Sequence, residues 1–105
     1  MNLEITRAAD EEIEAAFLYY ESQVLGLGFQ FLSAVEESYR LILSNPKAWS
    51  LLQSKSSLRR CLLRRFPYGL IYEIEGNRIF IYVVMHLSRK PDYWKKRLRG
   101  REKEK

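Results

Sequence analysis

The residues best suited to chemistry gather in the second half of the chain. His86 is the only histidine, and imidazole is the side chain that exchanges protons closest to neutral pH. The predicted strand register brings it near Arg64 and Arg65, and Arg89 follows it by three positions. Such a set could cleave RNA, with His86 moving a proton while Arg65 and Arg89 stabilise a pentacovalent phosphate. A structural histidine, hydrogen-bonded to backbone at a strand end, is the alternative interpretation.

Two arginine pairs, Arg59-Arg60 and Arg64-Arg65, lie within one predicted strand. Burying a guanidinium is costly, so at least one member of each pair should reach the surface. The planar donor fork of arginine suits phosphate or carboxylate. We therefore expect contact with nucleic acid or with an acidic protein segment, unless these arginines form salt bridges to the acidic first helix.

Two aromatic side chains complete the candidate set. Tyr93 and Trp94 lie in the basic C-terminal region, where they could stack on a base or pack this region against the fold. Cys61 is the only cysteine, which excludes an internal disulfide framework and a cysteine zinc cage and favours a reducing cytoplasm. Gly-rich phosphate loops, zinc-ligand spacings and nucleophile elbows are missing from the sequence, so we expect no cofactor or metal.

The charge distribution is strongly polarised. Residues 1–53 carry eight acidic and three basic side chains, whereas residues 54–105 carry fifteen basic and five acidic ones. The net charge is therefore −5 for residues 1–53 and +10 for residues 54–105. A cationic surface of this kind suits a phosphate backbone or an acidic protein, and a solvated face without a partner is the alternative.

Two helices are expected before residue 46, as part of the scaffold that positions the candidate site residues. Leu3–Ile5 alternates as a short strand, and helical periodicity begins at about Ala8 and ends before Asn45-Pro46. Gly26 and Gly28 interrupt the pattern, so the two helices should pack as an antiparallel hairpin. The apolar stripes contain Ile13, Ala16, Phe17, Tyr20, Val24, Phe31, Leu32, Val35, Tyr39, Ile42 and Leu43, and Tyr19 and Phe29 are also expected in the core.

Three strands are expected after a serine-rich loop at 47–57. They run over Leu58–Phe66, Leu70–Glu75 and Arg78–His86, with Gly76-Asn77 as a two-residue hairpin signal. This hairpin sets residue 75 opposite 78, 71 opposite 82 and 67 opposite 86. The face that should receive the helices then carries Leu70, Tyr72, Ile74, Ile79, Ile81, Val83 and Met85. The other face, expected to be partly open to solvent or a partner, carries Ile71, Glu73, Glu75, Arg78, Phe80, Tyr82, Val84 and His86.

The fold class that follows is α+β: a short N-terminal strand, an antiparallel helical hairpin packed on a small, mostly antiparallel sheet, and a short C-terminal helix over 92–98. At 105 residues, we expect a single domain over residues 1–100 and a charged tail over 101–105. No apolar run is long enough to cross a bilayer, and residues 1–4 lack the basic start of a signal peptide. A soluble cytoplasmic protein is expected.

The order of these elements resembles the RelE/ParE superfamily of bacterial toxins. The most specific parts are the segment Phe66-Pro67-Tyr68-Gly69-Leu70-Ile71-Tyr72 and the ending from Val83 through His86, Arg89 and Pro91 to Trp94. The resemblance covers about residues 2–98. It implies the toxin of a type II toxin–antitoxin pair, held in a hetero-oligomer by an antitoxin that wraps it.

The superfamily divides in mechanism, and the ending of this chain is more similar to ParE-like members, which inhibit DNA gyrase. RelE-like members instead cleave mRNA on the ribosome. Under that alternative the chain is a metal-independent endoribonuclease, and Arg65, His86, Arg89 and Tyr93 are the catalytic candidates. The target- or partner-binding candidates are Arg59, Arg60, Arg64, Arg65, Arg89 and Trp94. A degenerate toxin acting only as a binding module is a third interpretation.

Overall fold

Two helices and four strands make up the regular structure in the computed structural model, which describes residues 1–52, 56–89, 93–95 and 97. Strand β1 (Asn2–Ile5) leads into helix α1 (Arg7–Gln23), and a short connection leads into helix α2 (Leu27–Ser44). Strands β2 (Leu58–Leu62), β3 (Tyr68–Glu75) and β4 (Arg78–His86) follow. None of the described helices has both the length and the hydropathy needed to span a bilayer.

The four strands form one mixed sheet in the order β1-β4-β3-β2. The neighbours β2 and β3, and β3 and β4, are antiparallel, whereas β1 lies parallel to β4. A parallel partner needs a crossover, and the helical hairpin supplies it. The α+β class with an N-terminal strand is confirmed.

The main core lies between the helices and one face of the sheet. Thr6 begins α1 because its Oγ1 accepts a hydrogen bond from the Ala9 N–H at 3.2 Å. Helix α2 ends at Ser44, as the Asn45-Pro46 pair predicts. Residues from both helices and from β2, β3 and β4 meet in this core: Ala9, Ile13, Ala16, Phe31, Ala34, Val35, Ile42, Cys61, Leu70, Tyr72, Ile79, Ile81 and Val84.

A β-bulge in the β3–β4 pair overturns part of the predicted register. Pairing follows the prediction from Glu75↔Arg78 to Tyr72↔Ile81 and then shifts, so that Ile71 faces Val83 and Tyr68 faces His86. Tyr82 is the extra residue, and an extra residue moves every later side chain to the opposite face. The assignment of Val83 and Met85 to the helix side was therefore wrong, as were those of Val84 and His86 to the other side.

The second face of the sheet is also less open than expected. Its inner residues Ile71, Phe80, Tyr82, Val83 and Met85 form a separate buried cluster together with Trp94, which lies after the last strand. Leu52, Leu58 and Tyr93 pack against this cluster. The chain thus covers much of this face with its own loop and C-terminal residues.

Several expected boundaries shift for local reasons. Strand β2 ends at Leu62 rather than Phe66, because residues 63–67 form a turn, and β3 begins two residues early, at Tyr68. In the expected loop at 47–57, only the bridge between Leu51 and Arg59 pairs with the sheet, and residues 53–55 lie outside the described residues. A C-terminal helix was expected over 92–98, and within it Lys95 and Arg97 are helical, whereas Tyr93 and Trp94 lie in a turn. Residues 92, 96 and 98 and the tail 101–105 lie outside the described residues.

The apolar stripes of the two helices were predicted too broadly. Tyr20, Phe31 and Tyr39 belong to the core or pack against it. Tyr19, Val24, Phe29 and Leu43 instead expose 58%, 59%, 61% and 39% of their surface. Val24 is not in the helix at all, since it is the C-cap residue of α1.

A carboxylate fixes the turn between the helices. Gly26, the N-cap of α2, has a positive φ of 90° and no capping side chain. Both oxygens of Glu21 accept from the Gly26 N–H, at 3.0 and 2.9 Å, and Oε1 also accepts from the Gly28 N–H at 2.9 Å. The first free N–H groups of α2 are thereby satisfied from α1, and the negative charge lies at the positive end of the helix dipole.

Changing Glu21 to glutamine should lower the free energy of unfolding by about 1 kcal/mol, because a neutral amide is a weaker acceptor for these N–H groups. Thermal unfolding should show a Tm lower by roughly 4–8 °C. Glu14→Gln, at an exposed position of the same helix, is the control and should shift Tm by less than about 2 °C. Equal shifts for the two variants would contradict the capping role.

Candidate functional site

Two turns meet at one end of the sheet and bring the predicted site residues together. The turn at 63–67 is closed by the hydrogen bonds from Leu63 N–H to Tyr68 O at 3.0 Å and from Tyr68 N–H to Phe66 O at 2.7 Å. The turn after β4 joins it through the bond from Leu87 N–H to Pro67 O at 2.8 Å. We call this region, residues 63–68 and 86–89, the basic end.

The first of these turns presents its arginines outward. Leu63 and Phe66 are buried in the main core, while Arg64 and Arg65 are exposed. Arg65 has a φ of 71°, and it is the only described residue other than glycine with a positive φ. Side chains with a Cβ adopt this left-handed region at a cost of about 1 kcal/mol. The two buried neighbours therefore hold Arg65 in a fixed, outward position.

The four arginines of the predicted cluster have different surroundings. Arg64 pairs with Glu37 of α2 at 3.0 Å. Arg59 donates to the carbonyls of Lys47 and Trp49, at 3.2 and 2.6 Å, and so fixes the loop after α2.

The other two arginines of the cluster remain available to a ligand. The stem of Arg60 crosses over Gly69, where an added Cβ would lie 3.2 Å from Arg60 Cγ and Cδ. Within the described part of the chain, neither Arg60 nor Arg65 makes an ion pair. These two guanidinium groups are the members of the cluster that can receive an external anion.

His86 lies at the end of β4 with one ring nitrogen occupied. Its Nδ1 accepts the backbone N–H of Ser88 at 3.0 Å, and the Ser88 hydroxyl lies 2.7 Å from the same atom. The Ser88 N–H can donate only to an unprotonated Nδ1, and this bond assigns the proton of the neutral ring to Nε2. In this state His86 offers an N–H donor and no free lone pair for a general base.

Arg89 of the basic end stacks on the ring of Tyr93. The Arg89 guanidinium carbon lies 3.8 Å from the centre of the Tyr93 ring, a cation–π arrangement. The Tyr93 hydroxyl donates to Glu12 Oε2 at 2.5 Å. Burial, together with this hydrogen bond and the charge of Glu12, raises the pKa of Tyr93, so that its hydroxyl stays protonated.

Glu12 is the central acceptor of this region, and the sequence interpretation missed it. Besides Tyr93, it accepts the Val84 N–H at 3.0 Å and two bonds from the Arg97 guanidinium, at 2.9 and 3.1 Å. Arg97 also donates to the Tyr82 carbonyl at 3.1 Å. These bonds satisfy the edge of β4 beyond the point where β1 stops pairing with it, and they attach the C-terminal residues to α1.

Trp94, expected to contact a partner or target, is placed in the cluster on the second face with 5% of its surface exposed. Its indole N–H has no hydrogen-bond partner among the described residues. This placement corresponds to the packing interpretation rather than to stacking on a base.

The basic end is rich in cations and N–H donors. Arg65 and Arg89 make no ion pair within the described residues. Burial raises the pKa of Tyr68, and the nearby charge of Arg89 offsets part of this rise. Among the described residues, no group of three or more His, Cys, Asp or Glu side chains is placed to hold a metal ion. The arrangement can bind an anionic group, such as a carboxylate or a phosphate.

A family model and a solved structure are similar to this chain. The family model described as "ParE toxin of type II toxin-antitoxin system, parDE" matches residues 3–91. A solved structure of the chromosomal ParDE TA system from P. aeruginosa is similar, with a TM-score of 0.61 at 21% identity over 84% of this chain and 97% of that chain. At this identity the likeness shows the fold alone. No curated protein matches the chain.

Proposed function

Since the chain belongs to the family of ParE toxins from type II toxin–antitoxin systems, we propose that it arrests growth by binding DNA gyrase, without cleaving RNA, and that a cognate antitoxin neutralises it. Gyrase is the target that ParE-like members inhibit. The antitoxin is expected to be the product of the open reading frame next to the gene of this chain.

The hydrogen bonding of His86 is the observation that carries the proposal. A nuclease would need this imidazole to accept a proton, or to donate one from a doubly protonated ring. The Ser88 N–H occupies Nδ1, and the neutral ring holds its proton on Nε2. Protonation of Nδ1 would require the bond from the Ser88 N–H to break, so the geometry favours a structural histidine.

The state of the other nuclease candidates supports the same conclusion. The hydroxyl of Tyr93 is bound to Glu12, and the guanidinium of Arg89 is stacked on the Tyr93 ring. Tyr93 therefore serves to hold the C-terminal residues in place, while the stacked Arg89 stays exposed and keeps its charge at the surface. What remains for function is a cationic surface that contacts a partner by charge and shape.

His86→Gln tests this proposal directly, because the glutamine carbonyl can still accept the Ser88 N–H. We expect the variant to arrest growth at an inducer concentration within about twofold of the one that wild type needs. A nuclease would lose roughly 10²–10⁴-fold in rate without its acid–base group. A folded His86→Gln protein that no longer arrests growth would overturn the proposal in favour of RNA cleavage.

A further inference from the structure

Charge is divided between the two layers of the fold. Helices α1 and α2, which pack on one face of the sheet, contain seven acidic and two basic residues. Residues 58–89, which include three of the four strands, contain six basic and two acidic residues. The helical layer is therefore negative and the sheet layer positive. A polyanion should approach the molecule from the second face of the sheet, where the helices do not lie.

Three exposed cations surround the buried cluster on this second face. Arg60 pairs with Ile71 in the sheet, so its side chain belongs to the same face as this cluster residue. Arg89 lies over the ring of Tyr93, which packs against the cluster. Lys95 directly follows the last member of the cluster and is exposed. We call Arg60, Arg89 and Lys95 the cationic rim.

None of the three rim cations forms an ion pair with another described residue. Arg60 could reach an acid, because its diagonal neighbours on β3 are Glu73 on one side and Gly69 on the other. Its stem crosses over Gly69 instead, toward the end of the sheet where Arg89 follows β4. The Glu73 carboxylate accepts two hydroxyl groups of neighbouring side chains. Arg60 thus turns from an acid toward another cation, an arrangement that an external anion would stabilise.

Gly69 makes this position of Arg60 possible. A Cβ at residue 69 would lie 3.2 Å from both Cγ and Cδ of Arg60, which is closer than ordinary van der Waals contact. The arginine stem therefore lies flat on the backbone of β3 while the residue as a whole stays exposed. A stem that is already packed loses less side-chain entropy when the guanidinium binds a ligand.

The aromatic side chains of this face are not free to stack on bases. Phe80, Tyr82 and Trp94 expose at most 8% of their surface, and the Tyr93 ring carries the Arg89 guanidinium. Proteins that bind single-stranded nucleic acid stack its bases on exposed aromatic rings. A duplex keeps its bases inside and presents its phosphates, so exposed cations are enough to bind it.

We propose that the cationic rim binds the phosphate backbone of duplex DNA without reading the base sequence. The guanidinium groups of Arg60 and Arg89 can each bind a phosphate through two N–H donors, and Lys95 adds a point charge. The negative helices would face away from the DNA. Gyrase acts on duplex DNA, so this contact would reinforce the proposed function without depending on it.

An acidic protein is a less suitable occupant of the cationic rim. A protein interface draws most of its affinity from a few exposed side chains that fit into pockets of the partner. In the described part of the chain, most of the exposed large apolar side chains lie on the helices and their connection, not on the second face. The rim therefore offers charge with few apolar anchors, which suits a phosphate backbone.

The test is fluorescence anisotropy with a labelled DNA duplex of about 20 bp and no gyrase present. The rim variant Arg60→Gln/Lys95→Gln removes two phosphate contacts. We expect its Kd to rise roughly 10-fold to 100-fold at about 0.1 M salt, and the slope of log K against log salt to become shallower by about 2.

The matched control is Arg40→Gln/Lys47→Gln, which removes the same residue types and the same charge. Arg40 is exposed on α2, and Lys47 is exposed in the loop after it. Because these positions belong to the helical layer, the Kd should change by less than about threefold and the slope by less than about 0.5.

A loss confined to the rim variant, with an unchanged Tm, supports the DNA site. Equal losses in both variants would show that net charge alone attracts DNA and would overturn the proposal, as would wild type that does not bind the duplex. Tighter binding of a single strand of the same sequence would overturn the choice of duplex, and equally tight binding of a polyglutamate peptide would assign the rim to an acidic protein. None of these failures bears on the proposed function, which binding to DNA-free gyrase tests separately.

Discussion

Replacing Glu12 by alanine is expected to lower the free energy of unfolding by about 2–3 kcal/mol, or roughly 10–20 °C in Tm. The variant leaves the Val84 N–H, the Tyr93 hydroxyl and the Arg97 guanidinium without their common acceptor. The Glu12 side chain is only 15% exposed and that of Arg97 30%. Water therefore replaces these bonds only in part, so the cost exceeds that of a surface ion pair.

Glu11→Ala is the matched control for this measurement. Glu11 is the neighbouring residue on α1, and its contact with Arg7, at 3.8 Å, joins side chains that are 70% and 94% exposed. Exposed pairs of this kind contribute at most about 0.5 kcal/mol. Similar losses for Glu11→Ala and Glu12→Ala in urea unfolding would show that Glu12 does not anchor the C-terminal residues.

Removing Arg65 and Arg89 together should slow association with the antitoxin by about 10-fold to 100-fold at low salt. Electrostatic steering by exposed cations acts mainly on the association rate, and salt screens it over about 8 Å at 0.15 M. The double variant Arg65→Ala/Arg89→Ala should therefore also show a flatter dependence of the association rate on ionic strength. Stopped-flow or surface plasmon measurements at several salt concentrations give both quantities.

A second pair of arginines provides a control with the same change in net charge. Arg7 and Arg78 pair with Glu11 and Glu4 at the surface, at 3.8 and 3.7 Å. The variant Arg7→Ala/Arg78→Ala should retain most of the rate and of the salt dependence. If both double variants slow association equally, net charge and not the basic end governs the encounter.

The elements could be predicted from local patterns, because their determinants lie close together in the chain. The Asn45-Pro46 pair ends α2, and Gly76-Asn77 sets the first pairs of the β3–β4 hairpin. The bulge at Tyr82 could not be predicted in this way. A bulge depends on how the whole strand twists against its neighbours, and it decides which face His86 and Val84 occupy.

The environment of the site was less predictable for the same reason. Glu12 was not singled out from the sequence, because its partners lie 72, 81 and 85 positions later in the chain. The exposed aromatic Phe29 was expected in the core, because helical periodicity does not show where the partner surface of a helix ends. The positions of Arg65, His86 and Arg89 at one end of the sheet did follow from the approximate hairpin register.

Plasmid topology and mRNA integrity, followed in the same culture after induction of the protein, test most directly whether this toxin binds gyrase and leaves RNA intact. We expect plasmid supercoiling to be lost first while mRNA 5′ ends remain unchanged, and the same order in the His86→Gln variant. Defined mRNA fragments that appear while plasmids stay supercoiled, and that disappear in His86→Gln, would contradict this account.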